Sequence, residues 1–201
     1  MTSRKNPGRT RSALLEAAYQ EIYRHGFQAA SLDRILTAAG VTKGALYHHF
    51  KNKREMAYAV IDEIIAPFVE RTWIRPIQTQ GNPIDHLISV TRSASPVEGS
   101  DLYLLGCPLG NLALEMASID DQFRDKVVSL FDRWRSTVGS CLEQGKLRGE
   151  VRGSIDPQRA AGFYVAVVEG MIGLTMTDRN TQTYTSAGGE LIRYLESLRV
   201  A

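Results

Sequence analysis

Residues 42–54 concentrate side chains suited to holding a polyanion. Thr42, Lys43, Gly44, Tyr47, His48 and His49 alternate with apolar Val41, Leu46 and Phe50, so a short helix here turns a cationic, hydroxyl-bearing and aromatic face outward. Such a helix fits the DNA major groove, where lysine, hydroxyl and aromatic groups meet phosphates and base edges. Gly44 lets a backbone approach closely, because it carries no Cβ. Lys53 and Arg54 begin the next helix, and two cations there oppose the helix dipole. A phosphate at that helix start resolves the conflict. The adjacent His48 and His49 lack a Cys or carboxylate at ligand spacing, which favours nucleic-acid contact over metal.

Those residues need a frame, and the flanking sequence supplies one. Ser31 is placed to cap a helix carrying Asp33 and Arg34 in its first turn, with Ile35, Leu36 and Ala39 on the inner face. Gly40 falls where such a helix ends in a left-handed residue. Thr42 caps the next helix and Asn52 the one after. Upstream, residues 10–25 are amphipathic through Leu14, Leu15, Ala18 and Ile22, and Gly26 ends that helix. Residues 1–9 read as a loose basic arm.

This pattern resembles the DNA-binding domain of the TetR family of bacterial transcriptional regulators. The resemblance rests on Gly26-Phe27, Ser31, Ile35, Ala39-Gly40-Val41, Thr42-Lys43-Gly44, Leu46-Tyr47, His49-Phe50 and Lys51-Asn52-Lys53. It implies that Thr42, Lys43, Tyr47 and His49 contact phosphates or base edges and that Lys53 contacts a phosphate; Ser31, Arg34, Gly44 and His48 complete the candidate DNA-contact set. It covers the first third of the chain and implies role and fold, not ligand.

Composition agrees. The chain has 201 residues, is 43% hydrophobic and carries a net charge of +2. Residues 1–60 hold ten Lys/Arg against four Asp/Glu, a balance of +6, while the remainder holds fourteen against eighteen, a balance of −4. Polyanion binding therefore belongs to the first part. Cys107 and Cys141 are too few for a disulfide framework and suit a reducing cytoplasm. Glu16 interrupts the N-terminal apolar run, which argues against a secretory signal. Glu169 interrupts the apolar stretch 163–176, which argues against a membrane span.

The rest reads as helical. A linker helix runs over residues 53–66, with Pro67 ending or kinking it. Further helices cover residues 83–94, 108–118, 120–144 with Gly145 as terminator, 156–177 and 186–199. The fold class is all-α: an N-terminal three-helix bundle with a helix-turn-helix over residues 1–54, then a larger helical effector-binding and dimerisation domain over 55–201. Gly162, Ala166, Gly170 and Gly173 form a small-residue stripe, and Leu191, Leu195 and Leu198 a seam. Spacing leaves open whether these pack within one subunit or complete a four-helix bundle with a second. The resemblance favours a homodimer through the last two helices.

Residues 106–115, GCPLGNLALE, resemble a Gly-Cys-Pro helix start found in one subgroup of the family, where this helix borders an effector pocket. Cys107 reads either as a sensor thiol, its pKa lowered at a helix start, or as a small buried hydrophobe. Asn111 lies one turn along. Trp73, Tyr103, Phe131, Trp134, Tyr164 and Met171 are aromatic or soft side chains that line a cavity or fill the core. Tyr103, Cys107, Asn111, Phe131, Trp134, Tyr164 and Met171 form the candidate effector set. No nucleophile–base pair, metal cluster or phosphate loop stands out, so no catalytic residue, metal or cofactor is expected. The expected partners are double-stranded DNA, a second copy and a small molecule, with no membrane. The alternative is an all-helical ligand-binding module or enzyme tethered by a basic domain.

Overall fold

The N-terminal helices form where capping and burial agree. The computed structural model describes residues 7–200; of the expected basic arm, residues 1–6 lie outside the described residues, and Pro7 already opens helix α1 (Pro7–Ala29). Leu14, Ala18 and Ile22 are buried along it, and Gly26 breaks it with φ 78° and ψ 160°. Helix α2 (Leu32–Ala39) is capped by Ser31, whose hydroxyl accepts from the Arg34 N–H at 3.4 Å. Gly40 (φ 63°) closes it with its N–H on the Leu36 and Thr37 carbonyls. Helix α3 (Lys43–His49) starts at Thr42, whose hydroxyl accepts from the Ala45 N–H at 3.3 Å. Helix α4 (Lys53–Val60) starts at Asn52, which accepts from the Glu55 N–H at 2.9 Å. Helix α1 packs against α2 and α3, the three-helix arrangement the sequence implies, and also against α4.

The helical run does not stop at Pro67. It continues through a π-helical turn (Ile61–Ile65), helix α5 (Ala66–Val69), a second π turn (Glu70–Ile74) and a 3₁₀ turn (Arg75–Ile77). Proline lacks an amide hydrogen and its ring crowds the carbonyl four residues back. The widened turn just before Pro67, closed by the Ala66 N–H on Ile61 O, relieves that crowding.

Helix α6 (Pro83–Ser93) is followed by α7 (Asp101–Leu105), α8 (Pro108–Met116), α9 (Asp121–Leu147), α10 (Pro157–Asp178) and α11 (Thr181–Ser197). Gly145 does not terminate α9. It is buried inside the helix, where a β-carbon would lie 2.5 Å from Pro83 Cγ and 2.7 Å from Val151 Cγ2. Gly149, with φ 73°, lies just past the end and is the residue that suits a stop. Helix α11 begins earlier than expected because Asn180 caps it, accepting from the Gln182 N–H at 3.0 Å. The described residues contain no strand, only an isolated bridge between Val151 and Arg199.

By contacts the chain forms two compact units: Met1–Pro67 with Asn111–Val127, and Phe68–Gly110 with Val128–Ala201. Helix α10, at mean hydropathy 1.4, is long and apolar enough to span a membrane, despite Glu169. In this fold it packs against α7 and α11 and buries Tyr164, Val168, Met171 and Ile172.

Candidate nucleic-acid interface and ligand-domain interior

The outer face of α3 is open. Lys43, Gly44, Tyr47 and His48 are exposed, His49 is half-buried, and Leu46 and Phe50 anchor the helix inward. Thr42 is exposed at its start. A β-carbon on Gly44 would meet nothing within 4 Å, so internal packing does not require glycine there. The rings of His48 and His49 meet edge-on at 5.1 Å.

Ser31 and Arg34 are tied into the unit. The buried Glu21 carboxylate accepts from the Ser31 N–H at 2.9 Å and from Arg34 Nε at 2.8 Å. Hydrogen bonding from Arg34 holds that carboxyl below its ordinary range. Arg34 also donates to Ala29 O at 3.1 Å, which leaves α2 clamped to the end of α1.

The two cations at the start of α4 have internal partners instead of an anion left wanting. Lys53 Nζ donates to Gln28 O at 3.2 Å and lies 4.8 Å from the centre of the Phe27 ring. Burial lowers its pKa. Arg54 Nε lies 3.4 Å from Asp120 Oδ2. Asp120 also accepts from Tyr58 OH at 3.0 Å and from the Gln122 and Phe123 N–H groups. The Phe123 amide leads the causes that hold its carboxyl low.

Sequence reasoning missed Glu115. Its carboxylate accepts from the Phe27 and Gln28 N–H groups, both at 2.8 Å, just past the break at Gly26. A β-carbon at Gly26 would approach both Glu115 oxygens at 2.9 Å. Glycine there serves the positive φ and the close carboxylate together.

In the second unit the candidate effector residues are dispersed. Tyr103 OH donates to Arg179 O, and Arg179 returns hydrogen bonds to Tyr103 O at 3.0 Å and Leu104 O at 2.6 Å. Tyr164 is buried with its hydroxyl 3.2 Å from Thr91 Oγ1, and burial pushes its pKa up to about 12. The polar tips of both tyrosines thus serve the protein's own packing. Met171 is buried and Phe131 half-buried. Trp134 is fully buried and stacks on Trp73 with ring centres 4.8 Å apart, and neither indole N–H has a partner among the described residues. Asn111 is half-buried and belongs to the first unit, unlike the other six.

Of the two readings of Cys107, the burial of the side chain favours the small buried hydrophobe over the activated thiol. It is buried, and burial followed by the nearby Glu169 carboxyl raises its pKa well above the ordinary value. The helix start cannot offset that desolvation. Cys141 is also raised by burial, but it lines an open cleft of about 550 Å³ with Ile77, Thr79, Arg133, Thr137 and Arg148. Cys141 is therefore the more accessible thiol. None of the seven candidate effector residues lines this cleft or the two others formed by residues of the second unit.

Comparison with known proteins places these features. The family described as "Bacterial regulatory proteins, tetR family" matches residues 14–60. The family described as "Tetracyclin repressor-like, C-terminal domain" matches residues 83–189, more than half of the chain. The transcriptional regulator AcuR of Cereibacter sphaeroides is 27% identical over 160 residues, covering 80% of this chain and 73% of its own. The HTH-type transcriptional repressor DhaR of a Mycobacterium species is 25% identical over 179 residues, covering 86% and 85%. A TetR transcriptional regulator of Chloroflexus aurantiacus superposes with TM-score 0.87 at 27% identity, covering 97% of this chain and 98% of its own. With its capped helix-turn-helix and all-helical second unit, the chain belongs to the TetR family of bacterial transcriptional regulators.

Proposed function

We propose that this regulator is a cytoplasmic, homodimeric repressor that binds an inverted-repeat operator in double-stranded DNA and is released by a small-molecule effector. The observation that carries this reading is the outward face of α3, where Thr42, Lys43, Tyr47, His48 and His49 surround a Gly44 that nothing else crowds. Each subunit sets α3 in a major groove. Ser31 and Arg34 reach phosphate from the start of α2, and Lys53 exchanges the Gln28 carbonyl for a phosphate at the start of α4. The name of the Mycobacterium relative supports repression.

The second subunit covers the last two helices. Leu191, Leu195 and Leu198 are buried within one chain, so they are not the seam between copies. The small-residue stripe is uncovered: β-carbons at Gly162, Gly170 and Gly173 would meet nothing within 4 Å, and Phe163 and Leu174 are 47% and 59% exposed. Effector binding among Tyr103, Cys107, Phe131, Trp134, Tyr164 and Met171 shifts the helical run 53–77 and the spacing of the two reading heads. The widened turns in that run are its natural points of adjustment.

Sedimentation of the wild type and of Gly170→Leu, with and without DNA from upstream of its own gene, tests the assembly. The wild type sediments as a dimer and binds as a dimer. Gly170→Leu overpacks the close approach at a cost of about 1–3 kcal/mol and sediments as monomer or aggregate. A wild type that stays monomeric at micromolar concentration, free and on DNA, would falsify the reading.

A further inference from the structure

Glu169 sits in the middle of α10 with no ion pair or strong hydrogen-bond donor among the described residues to hold its charge. Its Oε1 is buried and unpartnered. The group that does hydrogen-bond with it is the Cys107 thiol, a weak donor. The carboxyl lies close against α8: a β-carbon at Gly110, in the first turn of that helix, would fall 2.5 Å from Glu169 Oε2. An alanine there would make the end of the Glu169 side chain shift, so the glycine lets the carboxyl lie close against α8. Burial pushes the Glu169 pKa up to about 7. Glu169 is half-buried as a residue, but its Oε1 is withheld from water without a partner, which is costly, and an apolar residue would serve plain packing better. Trp73 Nε1, Trp134 Nε1 and Thr175 Oγ1 of the same unit are also buried without partners among the described residues.

We propose that Glu169 anchors the effector, and that the effector is an organic ammonium ion whose N–H groups satisfy the unpartnered carboxylate oxygen. This deepens the ligand-responsive reading above and rests on it. The Cys107 thiol is then a positioning residue, held protonated beside the carboxyl, not a reactive sensor. An anionic effector is disfavoured, because it would face Glu169 with no cation to balance the pair. Binding of an ammonium takes place on the ionised acid, so it expels the proton from Glu169.

The full-length protein titrated by calorimetry with benzylammonium, benzyl alcohol and benzoate tests this. Benzylammonium binds at least tenfold tighter than benzyl alcohol, and benzoate more weakly still. Its affinity rises about tenfold per pH unit below pH 7 and levels off above, because only the ionised carboxylate binds it. In Glu169→Gln, a near-isosteric change, both the preference and the pH slope vanish. Equal binding of benzyl alcohol and benzylammonium, or an ammonium affinity in Glu169→Gln equal to wild type, overturns the proposal. Should the variant not fold, the wild-type pH profile is decisive by itself: a flat profile overturns the proposal. A wild type that binds ammonium on Glu169 but no DNA keeps this inference and sinks the regulatory reading. DNA binding without any preference for ammonium sinks the inference alone.

Discussion

The two units treat their polar groups in opposite ways. In the unit of α1 to α4, every buried side-chain nitrogen and oxygen among the described residues finds a partner. Glu21, Glu115 and Asp120 each take two or more donors, several of them backbone amides. The unpartnered atoms, on Glu70, Trp73, His86, Trp134, Glu169 and Thr175, all belong to the other unit. Glu70 is a partial exception, since Arg133 lies 2.7 Å from its unbonded oxygen. A reading head must hold one geometry against DNA, and saturated hydrogen bonding gives that rigidity. A ligand domain that answers to an effector needs polar atoms left for the effector to satisfy. The contrast is between a unit whose buried polar side chains are satisfied by its own residues and one that leaves several of them unpartnered.

The largest effect that sharpens the contrast is Trp134→Ala. It removes a fully buried indole stacked on Trp73 and costs about 3–5 kcal/mol, read by urea unfolding. The folded fraction still binds operator DNA, because the reading head is intact. A loss under about 1 kcal/mol would place Trp134 in a loosely packed cavity and break the comparison as drawn.

A smaller loss is expected at Glu115. Glu115→Ala leaves the Phe27 and Gln28 N–H groups without their acceptor and costs about 1–3 kcal/mol, whereas Glu115→Gln keeps one acceptor oxygen and costs less. Operator affinity falls with Ala and partly recovers with Gln, because the end of α1 sets where α2 begins. Equal stability and affinity in all three proteins would show that the clamp on the reading head is dispensable.

The reading head was legible because its determinants are local. Ser31, Thr42 and Asn52 each bond an N–H within three residues, and Gly40 meets a need of its own helix end. Buried Leu14, Ile35, Leu46 and Phe50 follow from helical spacing. Determinants distant in sequence were not legible. Glu115 lies 88 residues from the N–H it caps at Phe27, and nothing in its neighbourhood points there. The pair of cations at Lys53 and Arg54 points to a phosphate, while their partners within the chain, Gln28 O and Asp120, lie far off in sequence and were not legible. Gly145 resembled a helix stop because small size and left-handed freedom are one letter, and contact with Pro83 and Val151 called for the former. Glu169 was visible as a lone charge in an apolar run, and the fold adds the thiol beside it. Cys107 could not be resolved from sequence because its ionisation depends on burial first and then on that distant carboxyl.

The central claim is that α3 reads sequence while the start of α4 grips the backbone. Fluorescence anisotropy across a salt series tests it, using DNA from upstream of the gene and a scrambled duplex of equal length, with wild type, Lys43→Ala and Lys53→Ala. Lys43→Ala should lose about 1–3 kcal/mol of preference for the upstream duplex over the scrambled one. Lys53→Ala should weaken both duplexes alike and lower the salt slope by about one. Wild-type affinity and unchanged preference in both variants at moderate salt would contradict the account.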